Sequence, residues 1–348
     1  MNHTTSEAHS GLLEHAMRRA LALATRGPAA DPNPRVGCVL LDRDGEVVGE
    51  GWHEGAGAPH AEVAALAEAG SGARGGTAIV TLEPCNHTGR TGPCSQALLH
   101  AGIARVVHAQ SDPNPLASGG AATLRAAGVE VSGGLLADQA TALNRTWTFA
   151  QQHGRPFVTW KFAATLDGFS AAADGTSQWI TREPMRAAML RRRAECGAVL
   201  VGTGTVLADD PRMTSRDEAG QLAERQPWRV VLGVRDIPPA ARGRGDDGRF
   251  VHLAHRDPAR ALQEVRELGV HHVWLEGGPR LAGAFWRAGL VDEVIACIAP
   301  ALLGTGRPAV ADLGIGTIAD IARLTTTEVI HEGEDLALVL QPNPGRTI

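Results

Sequence analysis

Cysteine is scarce in this chain: five residues, Cys38, Cys85, Cys94, Cys196 and Cys297, in 348. So sparse and odd a set excludes a disulfide framework and leaves metal binding or catalysis as the roles of interest for the thiols. Long apolar runs are missing too. None approaches the ~20 residues of a membrane span, and the start MNHTTSEAHSG lacks the apolar stretch of a secretory signal, so a cytoplasmic location is expected. No long basic tract occurs and the formal net charge is −5, so the electrostatic footprint of a nucleic-acid binder is absent and neither nucleic acid nor membrane is an expected partner. The C-terminal half also lacks a G-x-G-x-x-G behind a first strand, which removes the support for a Rossmann dinucleotide site.

What remains is the composition of an ordinary globular protein, 43% apolar and 20% charged, in a chain long enough for two domains with separate cores. LLEHAMRRALALATRG places Leu13, Met17, Ala20, Leu21 and Ala24 on one helical face before Gly27-Pro28. VGCVLLD and EVVGEGW are short strands joined around Asp44-Gly45, a pair favoured in tight hairpins. HAEVAALAEAG, SQALLHAG and AATLRAAG are predicted helices alternating with the strands TAIVTLE, RVVHAQ and VEVSGG, the pattern of a layered α/β domain. A helical stretch, LLADQATALNRTWTFAQQ, runs to His153-Gly154-Arg155-Pro156, where a boundary is natural. We therefore expect domains at 1–152 and 153–348.

The alternation restarts with PFVTWKFAATLDG as strand and turn, REPMRAAMLRRRAE as helix and AVLVGTGTV as a strand entering a Gly-rich turn. WRVVLGV, FVHLAH, HHVWLEGG and VDEVIACIAP add strands, with PARALQEVRELG and PRLAGAFWRAGL as helices. The segment from Arg235 to Arg249 is expected to be a solvated loop. A homo-oligomer is expected, with VDEVIACIAP either an internal strand or an interface.

The chemistry gathers around TLEPCNHTGRTGPC. His60 and Glu62 open a predicted helix in PHAEV, and Cys85 and Cys94 lie downstream. One His and two Cys give zinc three protein ligands and leave a fourth position for water, whose pKa falls to ~7. A carboxylate two residues from the His can shuttle protons without ligating the metal. His-x-Glu followed by Pro-Cys and a second Cys is the zinc nucleobase deaminase signature, although eight residues separate these cysteines where two are more usual. Taken singly, each residue has a plain alternative: a helix cap, a solvated carboxylate, loop thiols.

PNPRVGCV, GEGWHEGAGAPHAEVAAL, TLEPCNHTGRTGPC and DPNP, in this order, resemble the bifunctional deaminase/reductase of riboflavin biosynthesis, for which the long cysteine spacing is usual. The resemblance implies an N-terminal cytidine-deaminase-like three-layer α/β domain holding one Zn2+ through His60, Cys85 and Cys94, with Glu62 catalytic. It also implies that Asn33 and His53 contact the pyrimidine and sugar, while His87 and Arg90 hold the loop side and the phosphate, for which Arg offers a planar fork of donors. Asn33, between two prolines, could otherwise be a turn residue bonding its own backbone. Asn86, Arg90 and Gly92 stand where Ser, Lys and Pro are common.

In the C-terminal half, LEGGPRLAGAFW places Gly277 and Gly278 at a strand-to-helix junction, where free N–H groups and the helix dipole favour a phosphate. With KFAATLDG, SQWIT and VGTGTVLADDPRMTSR it resembles the same family's reductase domain, implying a dihydrofolate-reductase-like fold that uses NADPH. The resemblance thereby covers nearly the whole chain. By it, Ala163, Trp179, Thr205, Asp209 and the turn Gly278, Pro279, Arg280, Leu281, Ala282, Gly283 and Ala284 line the cofactor site. Lys161, Ser177, Arg193, Met213, Arg216 and Glu276 hold the substrate, Arg193 and Arg216 as phosphate partners. Arg191 to Arg193 could otherwise be a solvated helix face, Trp179 a core aromatic and Asp209-Asp210-Pro211 a turn. Thr165 replaces a common Ser, and Phe169 a basic residue.

The function implied is zinc-dependent hydrolytic deamination of 2,5-diamino-6-(5-phosphoribosylamino)pyrimidin-4-one, then NADPH-dependent reduction of the ribosyl chain to ribityl. The alternatives are a cytidine-, dCMP- or tRNA-adenosine-type deaminase with an unrelated second domain, against which the cysteine spacing counts, and a paralogous aminopyrimidine-nucleotide deaminase whose second domain is inactive or a binding module.

Overall fold

A computed structural model describes residues 2–87, 92–216 and 220–343, with residues 2–9 described by backbone alone. The chain divides into two compact units, Met1–Gly154 and Arg155–Ile348.

The first unit runs α1 (Asn2–Ala24), β1 (Gly37–Leu41), β2 (Val47–Trp52), α2 (Ala61–Ala69), β3 (Thr77–Leu82), α3 (Cys94–Ala101), β4 (Arg105–Gln110), α4 (Gly120–Ala126), β5 (Glu130–Gly133), α5 (Ala137–Leu143) and α6 (Arg145–His153). Its five-stranded sheet has the order β2-β1-β3-β4-β5, antiparallel across β2, β1 and β3 and parallel from β3 to β5. The strand sequence GCVLL is buried at every position because helices cover both faces. Side-chain alternation sends Val39 and Leu41 towards α1 and α5, and Cys38 and Leu40 towards α2, α3 and α4. This is the expected three-layer domain.

Two local features set the geometry of its strand ends. Gly51 on β2 lies so close to α2 that a Cβ there would sit 2.3 Å from the Ala61 carbonyl oxygen, so glycine lets the start of α2 press onto the sheet. The helical stretch after Leu135 breaks in two at Asn144, where the sequence predicted continuity. The Asn144 amide instead bonds Arg35, accepting from its N–H (2.9 Å) and donating to its carbonyl (2.8 Å), and so ties the PNPR loop to the helical layer.

The second unit contains β6 (Phe157–Thr165), β7 (Phe169–Ala171), α7 (Glu183–Ala194), β8 (Ala198–Gly202), α8 (Thr203–Asp209), β9 (Trp228–Leu232), β10 (Phe250–Leu253), α9 (Pro258–Glu267), β11 (His272–Leu275), α10 (Pro279–Arg287), β12 (Glu293–Ala299), β13 (Arg307–Pro308), β14 (Leu324–Glu332) and β15 (Asp335–Pro342). Its eight-stranded sheet has the order β10-β9-β8-β11-β6-β12-β15-β14. The strands from β10 to β12 are parallel, and β15 and β14 close one edge antiparallel. One face packs on α9 and α10 through Leu262, Val265 and Phe285, the other on α7 through Met185 and Met189. VDEVIACIAP forms β12, flanked by β6 and β15, and is therefore an internal strand. GTGTV does not make a Gly-rich turn: Gly202 caps α8, and the second glycine lies inside that helix.

Candidate functional site

In the first unit the chemistry sits beyond the carboxyl ends of the parallel strands β3 and β4, the usual crevice of an open α/β sheet. His60 is the N-cap residue of α2 but makes no side-chain cap bond, which leaves its ring for other partners. Nδ1 of His60 lies 3.2 Å from Sγ of Cys94 and 3.5 Å from Sγ of Cys85. These three atoms fall within 4.8 Å of one another. A tetrahedral zinc with ordinary bond lengths sets its ligand atoms ~3.6 to ~3.8 Å apart, so the three residues fit the ion.

The donor chemistry fits as well. Cys94 opens α3 and its N–H donates to the Cys85 sulfur (3.4 Å), a helix N-terminus that favours a thiolate. Hydrogen bonding from Cys94, with help from His60, pushes the Cys85 thiol down to about 4, while the bond to Cys85 and burial push Cys94 far up. Glu62 is buried in the first turn of α2, and burial pushes its carboxyl up to about 7.

Asn33 and His53 are brought together near this cluster. Nδ2 of Asn33 lies 3.1 Å from Nε2 of His53, whose ring meets that of His60 edge-on with centroids 5.5 Å apart. His87 is exposed, and Arg90 lies outside the described residues.

In the second unit, Lys161 and Ala163 lie on β6, Glu276 directly after β11, and Thr205 and Asp209 in α8 after β8, three strands that are adjacent and parallel. Lys161 and Ala163, two apart on β6, share a face. Glu276, directly after β11, accepts from Trp274 Nε1 (2.7 Å) and from Arg193 Nη1 (3.0 Å). Burial pushes its carboxyl up, but Arg193, Lys161 and these bonds outweigh it and hold it below the ordinary carboxylate range. Arg193 also donates to the Thr214 carbonyl, which anchors the Met213–Arg216 segment. Met213 is buried, its side chain in the core around α7. Arg216 donates to the Gly220 carbonyl at 2.7 Å. Trp179 is 68% exposed, with the Arg186 guanidinium 4.5 Å over its ring, and Ser177 is half-buried.

Thr205 is half-buried within α8 and Asp209 exposed at its end. Gly278 caps α10 and Pro279 fills its first position. Arg280 is exposed, Leu281 half-buried over Gly277 and Gly202, and Ala284 half-buried. Ala282 faces the core and Gly283 packs on the Ala311 and Asp312 carbonyls, so of this stretch only the first turn opens towards the strand ends.

Residues 11–110 match the cytidine and deoxycytidylate deaminase zinc-binding region, and residues 156–338 match the RibD C-terminal domain. Riboflavin biosynthesis protein RibD of Mycobacterium tuberculosis is 49% identical over 310 residues, 89% of this chain and 91% of that protein. The chain belongs to the RibD family. Among solved structures, Acinetobacter baumannii RibD is similar at 38% identity with a TM-score of 0.89, covering 96% of this chain and 99% of that one. A diaminohydroxyphosphoribosylaminopyrimidine deaminase/5-amino-6-(5-phosphoribosylamino)uracil reductase from Thermotoga maritima is similar at 31% identity with a TM-score of 0.84, covering 96% of this chain and 100% of that one. As a RibD-family chain it joins a zinc deaminase domain of the cytidine-deaminase type to a dihydrofolate-reductase-like, NADPH-dependent reductase domain, both serving riboflavin biosynthesis.

Sequence reasoning missed several residues that build this RibD site. Glu83, between β3 and Cys85, accepts from the backbone N–H groups of Asp112 (3.3 Å), Gly119 (3.2 Å) and Ala121 (3.0 Å), fixing the cysteine loop to the DPNP loop and to α4. Asp31 is buried and accepts from Asn33 N–H (2.9 Å) and Ala56 N–H (3.0 Å). Asp112, whose carboxyl burial pushes up to about 6, lies beside the same loop. Glu83 and Asp31 reach backbone groups 25 to 38 residues away, and only the adjacency of Glu83 to Pro84-Cys85 was a signal.

Proposed function

We propose that the N-terminal half deaminates 2,5-diamino-6-(5-phosphoribosylamino)pyrimidin-4-one and the C-terminal half reduces the ribosyl chain of the product to ribityl. The observation that carries this is the convergence of His60, Cys85 and Cys94 beside the buried Glu62. His60, Cys85 and Cys94 would hold the zinc, whose Lewis acidity would make a water acidic near neutral pH. Glu62 takes the two protons of the attacking water in turn, passing the first to the ring nitrogen and the second to the departing amine, which leaves as ammonia; a carboxyl raised by burial suits both directions of transfer. Asn33 holds the pyrimidine, and His87 and Arg90 take the loop side and the phosphate.

In the reductase half, NADPH supplies the two-electron reducing equivalent. Glu276, kept ionised between Arg193 and Lys161, orients the polar face of the substrate, with Ser177, Met213 and Arg216 around it. Ala163, Trp179, Thr205, Asp209 and the opening of α10 from Gly278 to Leu281 border the cofactor, and Ala282, Gly283 and Ala284 support that opening from behind. A cytoplasmic, homo-oligomeric enzyme is part of the proposal and is checked by fractionation and sedimentation.

The test incubates the zinc-loaded full chain with the diaminopyrimidine ribosyl phosphate and NADPH and identifies products by mass spectrometry. A product both deaminated and reduced is expected. An unaltered substrate would overturn the assignment, and a deaminated but unreduced one would restrict it to the first half.

A further inference from the structure

The hydrogen bonds around His53 give that residue a different task from the substrate contact implied by resemblance. His53 is only 5% exposed. Its Nδ1 lies 3.0 Å from the carbonyl oxygen of Pro59, the residue before His60. A carbonyl only accepts, so Nδ1 must carry the proton. In the neutral ring Nε2 is then a bare acceptor, and it faces the Asn33 amide at 3.1 Å. An acceptor there demands the NH2 end of Asn33, which turns Oδ1 the other way. Asn33 is partly exposed, and among the described residues none donates to this Oδ1. The backbone on the other side of the amide is equally fixed, since Asp31 holds Asn33 N–H and Ala56 N–H with its two carboxylate oxygens.

We infer that His53 is a positioning residue: through the chain Pro59 carbonyl, His53 ring, Asn33 amide, it fixes Asn33 as a hydrogen-bond acceptor towards the ligand, so that the site selects a pyrimidine edge presenting an N–H or amino donor. The register comes from the metal side of the site, because Pro59 immediately precedes His60. Asn33 cannot then swing its amide to accommodate a carbonyl edge, since the swap would set Oδ1 against the bare Nε2 and leave two acceptors facing each other. This inference rests on the proposed deaminase reaction, and the tests separate the two.

The first test needs no turnover. Long-range proton–nitrogen NMR on the zinc-loaded, histidine-labelled full chain, with His53 assigned by loss of its signals in His53→Gln, is expected to show Nδ1 protonated and Nε2 bare. A ring protonated at Nε2 overturns the inference whether or not the chain deaminates anything.

The second is a double-mutant cycle on deaminase kcat/KM. His53→Asn keeps a donor for Pro59 but removes the acceptor for Asn33, and is expected to lose about tenfold or more with zinc content unchanged. His53→Gln restores an acceptor at the Nε2 position and is expected to recover most of that loss. In an Asn33→Ala background His53→Asn is expected to cost less than about twofold, because its whole effect passes through Asn33. Additive losses, or zinc lost from His53→Asn, would overturn the inference. A wild-type chain that does not deaminate would instead overturn the underlying assignment and leave the NMR result to decide the tautomer.

Discussion

Gly120 presses on Pro84 so closely that a Cβ at Gly120 would fall 1.8 Å from the Pro84 carbonyl oxygen. Glu83, one residue earlier, receives the N–H groups on either side of that glycine. Together they clamp the chain just ahead of Cys85 onto the start of α4. Gly120→Ala must push Pro84 away and carry Cys85 with it. Zinc affinity, measured by competition with a chromophoric chelator, is expected to fall about 10- to 100-fold, the range for loss of support behind a ligand. Unchanged affinity would show that Pro84 yields without moving the sulfur.

Glu62→Gln keeps the shape of the carboxyl and removes its capacity to carry protons. Deaminase kcat is expected to fall about 10²- to 10⁴-fold with zinc content unchanged. NADPH oxidation on substrate supplied already deaminated should continue at the wild-type rate. Loss of zinc would instead make Glu62 a ligand or a structural residue.

The thiols set the pH dependence of metal uptake. Cys94 is held protonated by its bond to Cys85 and by burial, and His60 is raised chiefly by its bond to Cys85. Groups with raised values must give up protons when the ion enters, so zinc affinity is expected to rise with pH across neutrality and to fall in acid. Acidification on adding zinc to the metal-free chain in weak buffer measures this directly. A pH-independent affinity would contradict the proposed ligand set.

Arg193→Met tests the pair with Glu276. The carboxyl is depressed in the folded chain, so its contribution to stability is present above the unfolded value of ~4.3 and is lost as pH falls through the folded value. Removing Arg193 is expected to destabilise the second unit by about 2 kcal/mol at pH 7, with the difference shrinking towards pH 3. Urea unfolding followed by tryptophan fluorescence reads it, since Trp274 donates to the same carboxylate. An equal loss at both pH values would mean that packing of the arginine stem, rather than its charge, stabilises this corner.

The deaminase centre was legible because its chemistry is local in sequence: His60 and Glu62 lie at the head of one helix, and Pro84-Cys85 closely follows a strand. What supports it was not. Glu83, Asp31 and Asn144 act on backbone groups up to 109 residues away, and no spacing rule reports such partners. Asn144 also explains the split helix, because its side chain serves Arg35. In the second unit Asp247 lies in the expected solvated loop, yet it pairs with the buried Arg229. The final hairpin, β14 with β15, escaped notice because β14 is largely exposed, which erases the alternation that marks a half-buried strand.

His60 and Cys94 stand at the heads of two helices whose bodies, Ala61 and Ala65 in α2 and Leu98 in α3, are already locked into the core. The metal's seats are thus laid by carbon packing, in contrast to small zinc modules that collapse only around their ion. The metal-free chain is therefore expected to keep α2 and α3 in place, which circular dichroism before and after chelation would check. Zinc added back to such a chelated chain would then restore deamination without a refolding step.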